Sequence, residues 1–350
     1  MTKPACDKQE SNHRKSARLK ELNKTTTLTT DNKITLDQII TLIESTSYRK
    51  HQKTGIENLQ NVLEELKELQ KMVGMSQVKQ TVVEHVLYLA QNLSSENDMN
   101  HIQITGDPGI GKTTLAEILG RIYARLGLLE SEEVYSVTRA DLIGEHLGST
   151  AIKTMEALEL CIGRVMLIDE VYSFGAPDKR DSFSKECIDT ITQFLSEHRD
   201  DMLCIIAGYE QDIQDCVFSM NKGLERRFPW KYSLQSYSLE DLKNIFISQI
   251  EHSQWSINVQ NKSTETILNT IFSQQNQHYF EFSGGDTEIL FTRCKIAHSS
   301  NLFVKANRKK RTLNSDDLLS GFAMYQEYKN ASCQFKKKHQ DKITVGMMYC

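Results

Sequence analysis

The chain has 350 residues, of which 39% are hydrophobic and 25% are charged, and its formal net charge is −4. This composition is ordinary for a globular protein and leaves room for one large domain and one or two smaller units. The negative charge argues against a global basic field that would attract nucleic acid or anionic lipid, and no apolar run approaches the roughly 18 residues of a membrane span.

Residues 1–33 are predicted to form a disordered tail, because they are rich in Lys, Thr, Asn and Ser and carry few large apolar side chains. The tail lacks the apolar core of a signal peptide, and the 8 cysteines of the chain include no C-x-x-C pair. We therefore expect an intracellular protein without membrane attachment. The cytoplasm is the expected location. The basic cluster at residues 13–18 is a nuclear signal, a contact for an acidic partner or part of a solvated tail, and we favour the solvated tail, with the nucleus as the alternative location.

Residues 34–75 are predicted to form a helical segment. A first helix is expected from Ile34 to Ser47, and a second follows from apolar residues at three- and four-residue steps. These residues are Leu59, Val62, Leu63, Leu66, Leu69 and Val73. Such a stripe either pairs with a partner helix or docks on its own domain, and we favour docking. Ser76 is the predicted N-cap of the next helix.

A nine-residue stretch fits the phosphate-binding pattern G-x-x-x-x-G-K-[ST]. It reads Gly106, Asp107, Pro108, Gly109, Ile110, Gly111, Lys112, Thr113 and Thr114. Its glycines allow a tight turn whose N–H groups face phosphate oxygens, and a helix starting near Gly111 would point its positive end at the same anion. Lys112 is the expected cation for the β- and γ-phosphates, and the Thr113 hydroxyl is the expected Mg²⁺ ligand. An alternating strand at residues 101–105 and a helical apolar spacing afterwards support the motif.

Four apolar residues at 165–168 run into Asp169 and Glu170, which is the form of a buried parallel strand whose end meets solvent. Asp169 is placed to hold Mg²⁺ through water, and Glu170 to orient and deprotonate an attacking water. Further strands are predicted at residues 134–138 and 202–207. Gly144 and Gly148 bracket a loop that we expect to be exposed.

Beyond about Ser236 the pattern becomes helical. Helices are predicted at residues 239–252, 264–275, 286–304 and 315–328. Ser238 and Ser315 are the predicted N-caps of the first and the last, and Ser238 forms a capping box with Asp241. Two basic clusters lie at residues 307–311 and 336–338. Three interpretations are open for them: a signal for nuclear import, a contact with nucleic acid, or solvated charges of a loop and a tail. We favour solvated charges.

Together these motifs resemble those of AAA+ ATPases, most closely those of the CbxX/CfqX branch, which includes red-type Rubisco activases and sporulation protein K-like ATPases. The resemblance runs from about Glu57 to Asn330. It rests on Gly106 to Thr114, Asp141 to Gly144, Gly148 to Thr154, Ile168 to Tyr172, His198 to Asp201, Ile206 to Tyr209 and Gly223 to Phe228.

The resemblance implies an α/β fold in which a P-loop AAA+ domain, a five-stranded parallel sheet with helices on both faces, is followed by a small all-α lid. The chain then divides into the tail 1–33, the helical N-terminal segment 34–75, the nucleotide-binding domain 76–235, the lid 236–330 and a C-terminal tail 331–350. ATP and Mg²⁺ are the implied cofactors. The implied partners are copies of the chain in a ring, commonly of six, and a protein client.

The resemblance also carries over the catalytic residues. Lys112, Thr113, Asp169 and Glu170 match the family directly. Arg227 occupies the position of an arginine that reaches into the site of the next subunit, and Arg226 beside it is the alternative.

Three positions depart from the family. The loop that lines the ring pore, here Glu145, His146 and Leu147, usually has an aromatic residue where His146 stands. The position that senses the γ-phosphate holds Tyr209, as this branch tends to have. The lid normally offers an arginine at the start of its third helix, whereas here none occurs before Arg293.

We expect an ATP-hydrolysing protein remodeller. A nucleic-acid-linked AAA+ loader is one alternative, although the net negative charge and the lack of a recognised DNA-binding module argue against a nucleic-acid partner. A nucleotide-gated scaffold with little turnover is the other, and the missing lid arginine favours it.

Overall fold

The computed structural model describes residues 33–45, 56–95, 98–146, 148–174, 182–257, 259, 261–304 and 309–347. The predicted tail therefore lies outside the described residues except for Lys33, as do Leu147 and part of the basic cluster at 307–311.

A parallel sheet of five strands forms the centre of the described chain. The strands are β1 (Ile102–Thr105), β2 (Val134–Val137), β3 (Val165–Ile168), β4 (Leu203–Gly208) and β5 (Trp230–Ser233). Their order across the sheet is β2-β3-β4-β1-β5, and each neighbouring pair is parallel. The expected five-stranded parallel sheet is confirmed.

Helices surround this sheet and form the C-terminal region. Those before or around the sheet are α1 (Leu36–Glu44), α2 (Leu63–Lys71), α3 (Ser76–Ala90), α4 (Lys112–Arg125), α5 (Arg139–Leu142), α6 (Ser149–Glu159), α7 (Ser182–Glu197), α8 (Glu210–Ile213) and α9 (Lys222–Glu225). Those after it are α10 (Leu239–His252), α11 (Lys262–Ile271), α12 (Ser283–Val304) and α13 (Ser315–Met347). Single-turn or short 3₁₀ segments lie at Ile56–Val62, Val171–Phe174 and Gln274–Tyr279, and a π-helical turn lies at Gln214–Phe218.

Both faces of the sheet are buried. In β3, Val165 and Leu167 join the hydrophobic cluster that α3 and α4 complete, whereas Met166 and Ile168 join the cluster that α6 and α7 complete. Successive strand residues point to opposite faces, so a strand that is apolar throughout needs helices on both sides. This is why the run of four apolar residues before Asp169 predicted a buried strand correctly.

The helical N-terminal segment docks on its own domain, as favoured from its apolar stripe. Leu66 and Leu69 of α2 are fully buried in the same cluster as α4. The carboxylate of Glu65, only 3% exposed, pairs with Nη1 of Arg125 at 2.9 Å. Because a buried charge is strongly destabilising without its partner, this pair fixes how α2 lies against α4.

The C-terminal region is a helical lid with its own core. Leu242 and Phe246 of α10, Leu290 of α12 and Tyr325 of α13 are buried together. The lid also contains two short parallel strands that the sequence did not predict, β6 (Ser256–Ile257) and β7 (Thr312–Leu313). None of the helices in the described ranges is long and apolar enough to cross a membrane.

Several predicted boundaries were wrong. Ser76 and Ser315 are the first residues of α3 and α13, not their N-caps, and Met75 before α3 has a left-handed backbone with φ of 57°. The helix predicted from Ile34 to Ser47 is the shorter α1, and α13 continues to residue 347, well past the predicted end at Tyr328. The capping box of Ser238 with Asp241 is confirmed.

Two buried histidines, His85 of α3 and His101 just before β1, contact residues of the sheet. The ring of His85 lies 2.6 Å from the Tyr232 hydroxyl and 2.8 Å from the Tyr123 hydroxyl, and Nδ1 of His101 accepts the backbone N–H of Cys204 at 3.2 Å. Burial lowers the pKa of His85 to about 3 and the pKa of His101 to about 4. Both rings are therefore neutral in the folded chain.

We expect the free energy of unfolding to be highest above about pH 6.5 and to fall as the pH drops from there toward 4. Each unfolded histidine takes up a proton near pH 6.5, whereas the buried rings stay neutral, so acid favours the unfolded chain. Each ring contributes on the order of 1 kcal/mol per pH unit in this window. Urea unfolding midpoints between about pH 7.5 and about pH 4.5 measure the change.

His101→Asn is the matched variant, because an amide oxygen can still accept the Cys204 N–H but does not titrate. Its stability should fall with acid about half as steeply as that of the parent chain. An unchanged slope would assign the acid sensitivity to other groups.

Candidate functional site

The predicted phosphate loop and the two predicted acids lie at the same edge of the sheet. The glycine-rich loop follows β1, and Asp169 and Glu170 follow β3, with only β4 between the two strands. Since parallel strands end at the same edge, the topology brings the loop and the two acids together.

The loop after β1 has the backbone that its glycines allow. Gly106, Gly109 and Gly111 have φ values of 151°, 72° and 90°, in the region that side chains disfavour. The N–H of Gly106 donates to the carbonyl of Gly208 at the end of β4, at 3.1 Å. The α4 helix then begins at Lys112, so its N-terminal end faces the loop. Of the remaining loop residues, Ile110 is buried, Asp107 and Pro108 are half-buried and Thr114 is exposed.

Lys112 folds back over the loop. Its Nζ donates to the carbonyls of Gly106 at 3.0 Å and of Asp107 at 2.8 Å, and it lies 5.8 Å from the centre of the Tyr209 ring. Burial lowers the pKa of Lys112, while the nearby Asp169 and Asp107 carboxylates oppose that shift. The ammonium group is thus partly desolvated, in a position from which it can turn to an anion in the loop.

Thr113 and Asp169 offer oxygen ligands to a small cation. The Thr113 hydroxyl donates to Oδ2 of Asp169 at 3.2 Å, across 56 residues of sequence. A hydroxyl and a carboxylate side by side, both reachable by water, are the donor set that Mg²⁺ uses when it also binds substrate phosphates. The two residues therefore fit the predicted metal.

Glu170 has an unusual backbone. Its φ is 54°, a left-handed value that is uncommon for a residue other than glycine, and its N–H donates to Oδ1 of Asp169 at 2.8 Å. The side chain is exposed. A hydrogen bond from the Tyr172 hydroxyl to the Glu170 carboxylate raises the pKa of Tyr172. Such backbone strain is typical of functional positions.

The two adjacent arginines have different environments. Nε and Nη2 of Arg227 donate to the Ser196 hydroxyl at 3.1 and 2.9 Å, and Nη1 donates to the Gly223 carbonyl at 3.1 Å. Arg227 is half-buried, whereas Arg226 is exposed. The guanidinium of Arg227 is therefore held in a fixed direction, which the sequence did not indicate.

The predicted sensor lies close to the loop, whereas the predicted pore loop lies apart from these contacts. Tyr209 follows β4 and is 39% exposed, and burial together with the nearby Asp107, Asp212 and Glu281 raises its pKa. Glu145 and His146 are exposed between α5 and α6, and the backbone of His146 bonds with the Ser149 hydroxyl.

Sequence reasoning missed the residues that support the loop from outside. The Ser236 hydroxyl donates to Oδ2 of Asp107 at 2.7 Å, and the Tyr237 hydroxyl donates to the carbonyl of Ile110 at 2.9 Å. They belong to the connection between β5 and α10, some 127 residues from the loop, and no local pattern marks them.

The chain is similar to proteins of one ATPase family. The model of the ATPase family associated with various cellular activities (AAA) matches residues 102–229. A cfxQ-like protein of Acanthamoeba polyphaga mimivirus is 34% identical over 307 residues, which are 87% of this chain and 74% of that protein. A CfxQ homologue of Galdieria sulphuraria is 29% identical over 282 residues, 77% of this chain and 90% of that protein. The chloroplastic ribulose bisphosphate carboxylase/oxygenase activase of Cyanidioschyzon merolae is 29% identical over 273 residues, 75% of this chain and 91% of that protein.

Proposed function

Because this chain belongs to the CfxQ branch of the AAA+ ATPases, we propose that it hydrolyses ATP as a ring of six subunits to remodel a protein client. The observation that carries the proposal is the meeting of Lys112, Thr113, Asp169 and Glu170 at the ends of β1 and β3. The similarity to a Rubisco activase supports a protein client as the class of substrate.

ATP would bind with its phosphates in the loop from Gly106 to Thr114. The ammonium of Lys112, which donates to two loop carbonyls, would turn to the β- and γ-phosphates and exchange neutral acceptors for charged ones. Thr113 and Asp169 would hold Mg²⁺. The bound ion would neutralise part of the negative charge of the phosphates.

Glu170 would act on the attacking water. Its carboxylate is exposed beside Asp169, where it could accept a proton from a water in line with the γ-phosphate. The Tyr172 hydroxyl would steady the carboxylate through the hydrogen bond between them. Tyr209, next to Lys112, could donate a hydrogen bond from its hydroxyl to a phosphate oxygen or to the water.

A neighbouring subunit would complete the site. Arg227 is at the family position for an arginine that reaches across, and its guanidinium is already oriented by Ser196 and Gly223. Charge is redistributed between the transferring phosphoryl group and its leaving group in the transition state, and a fixed cation stabilises it there more than in the ground state. The loop that contains Glu145, His146 and Leu147, of which Glu145 and His146 are exposed, would contact the client in the ring pore.

We expect ATP turnover per subunit to rise steeply with protein concentration and to vanish in Lys112→Ala. A site that needs an arginine from a second subunit is inactive in the isolated subunit, and its activity follows assembly. Phosphate release measured over a dilution series, beside sedimentation of the same samples, makes the test.

Turnover that is independent of concentration would contradict a site shared between subunits. Turnover near zero at every concentration, with ATP still bound, would instead favour the nucleotide-gated scaffold. The start of α12 supports that reading because it offers no arginine before Arg293. The acid in its first turn, Asp286, pairs with Lys329 of the lid at 2.7 Å.

A further inference from the structure

The lid touches the phosphate loop through backbone atoms. The N–H of Gly284, the second residue of α12, donates to the carbonyl of Gly109 at 3.0 Å. Ser236 and Tyr237 also donate to the loop, so three of its four residues at 107–110 accept hydrogen bonds from residues that follow β5. We call the bond between Gly284 and Gly109 the lid contact.

Only glycine allows the lid contact on either side. A Cβ atom on Gly284 would lie 2.7 Å from the carbonyl oxygen of Gly109, and one on Gly109 would lie 2.4 Å from the carbonyl oxygen of Phe282. Both distances are shorter than a Cβ atom tolerates against backbone. By contrast, a Cβ atom on the neighbouring Gly285 would meet nothing within 4 Å.

The lid holds Gly284 in place from the other side. The carbonyl of Gly284 accepts hydrogen bonds from Nε2 of Gln249 at 3.1 Å and from the Thr287 hydroxyl at 2.8 Å. Asp286 is 1% exposed, accepts the N–H of Phe282 at 2.7 Å and pairs with Lys329 at 2.7 Å. The start of α12 is thus fixed to α10 through Gln249 and to α13 through Lys329.

The lid contact determines which way the loop N–H groups point. A peptide unit is planar and trans, so its carbonyl and its N–H point in opposite directions. Gly284 holds the carbonyl of Gly109, which fixes the N–H of Ile110, and Tyr237 holds the carbonyl of Ile110, which fixes the N–H of Gly111. Both N–H groups then point away from the lid residues that hold the carbonyls.

We propose that Gly284 is a positioning residue through which the lid preorganises the phosphate loop and responds to its occupancy, without a lid arginine. The proposal rests on the proposed ATP site. A phosphate that orders the loop strengthens the lid contact, and a docked lid strengthens phosphate binding by the same factor, because the two equilibria are linked. The position of the lid and the binding of nucleotide are coupled through two peptide groups, the one between Gly109 and Ile110 and the one between Ile110 and Gly111.

The test compares Gly284→Ala with Gly285→Ala in the full chain. Both changes place alanine in the first turn of α12, where alanine favours helix over glycine, but only the first puts a methyl group against Gly109. Equilibrium binding of a fluorescent ATP analogue should weaken about tenfold or more in Gly284→Ala and stay within about twofold in Gly285→Ala. At saturating ATP, kcat of Gly284→Ala should stay within about threefold of the parent value while KM rises about tenfold.

Tyr237→Phe provides a second variant, which removes one hydroxyl and tests the same effect at Ile110 if Gly284→Ala does not fold. We expect about fivefold weaker binding of the analogue. Parent-like affinity in every variant that folds would overturn the role of the lid contact and leave the ATP site intact. Failure of the parent chain and of Gly285→Ala to bind the analogue would contradict the nucleotide site itself, and this inference with it.

Discussion

Replacing Arg227 by alanine is expected to reduce ATP turnover by about 10³- to 10⁵-fold while ATP affinity changes by no more than about threefold. A neighbour's arginine stabilises charge that develops in the transition state, so its loss affects kcat more than binding. The bonds to Ser196 and Gly223 use three of the five N–H donors of the guanidinium. One N–H on each terminal nitrogen is left over from these bonds and can face a phosphate. Steady-state turnover at saturating ATP, beside equilibrium nucleotide binding, measures both quantities.

Arg226→Ala is the matched control, because it removes the adjacent, exposed arginine. We expect its turnover to stay within about threefold of the parent. The opposite result, an inactive Arg226→Ala and an active Arg227→Ala, would transfer the role to Arg226.

A mixture of two inactive variants tests action between subunits. Arg227→Ala has an intact phosphate loop, and Lys112→Ala has an intact Arg227. In a mixed ring, some sites therefore combine the phosphate loop of an Arg227→Ala subunit with the Arg227 of a neighbouring Lys112→Ala subunit. Turnover of the mixture should exceed that of either variant alone by at least about tenfold. A mixture as inactive as its components would mean that Arg227 acts within its own subunit.

Replacing Glu170 by glutamine is expected to reduce turnover by about 10²- to 10⁴-fold with ATP binding retained. The amide has the size of the carboxylate and can still accept a hydrogen bond from Tyr172, but it cannot take a proton from water. ATP-bound rings should therefore accumulate. Single-turnover hydrolysis gives the rate of the chemical step, and sedimentation with ATP gives the assembly.

Glu117→Gln makes the same chemical change at an exposed position of α4, the helix that begins at the phosphate loop. Its turnover should match that of the parent chain. Parent-like turnover in Glu170→Gln would remove Glu170 as the base and would point to another group for activating water.

The sequence was informative wherever a short pattern has one structural solution. The spacing of Gly106, Gly111 and Lys112 requires a tight loop before a helix, and the structure has this loop with α4 beginning at Lys112. Four apolar residues before Asp169 require a strand buried on both faces, which is β3. The capping box at Ser238 fixed the start of α10 for the same reason, since its two hydrogen bonds are local.

The sequence was least informative where helix ends depend on what the helix packs against. Ser76 and Ser315 have the chemistry of N-caps, yet each lies inside its helix. At the first, Gly74 and Met75 take left-handed conformations, and the methyl group of Met75 packs toward Gly111. Propensity is a weak preference that such packing overrides.

The amino-acid sequence by itself determined the class of the protein and the chemical groups of its site, because these follow from local spacing and from apolar runs of fixed period. Only the tertiary structure decided how these groups are held. It brought Thr113 within 3.2 Å of Asp169, anchored Arg227 on Ser196 and seated Gly284 on Gly109. These contacts join residues 31 to 175 positions apart. Contacts of this kind arise from the packing of whole elements, which no short window of sequence encodes.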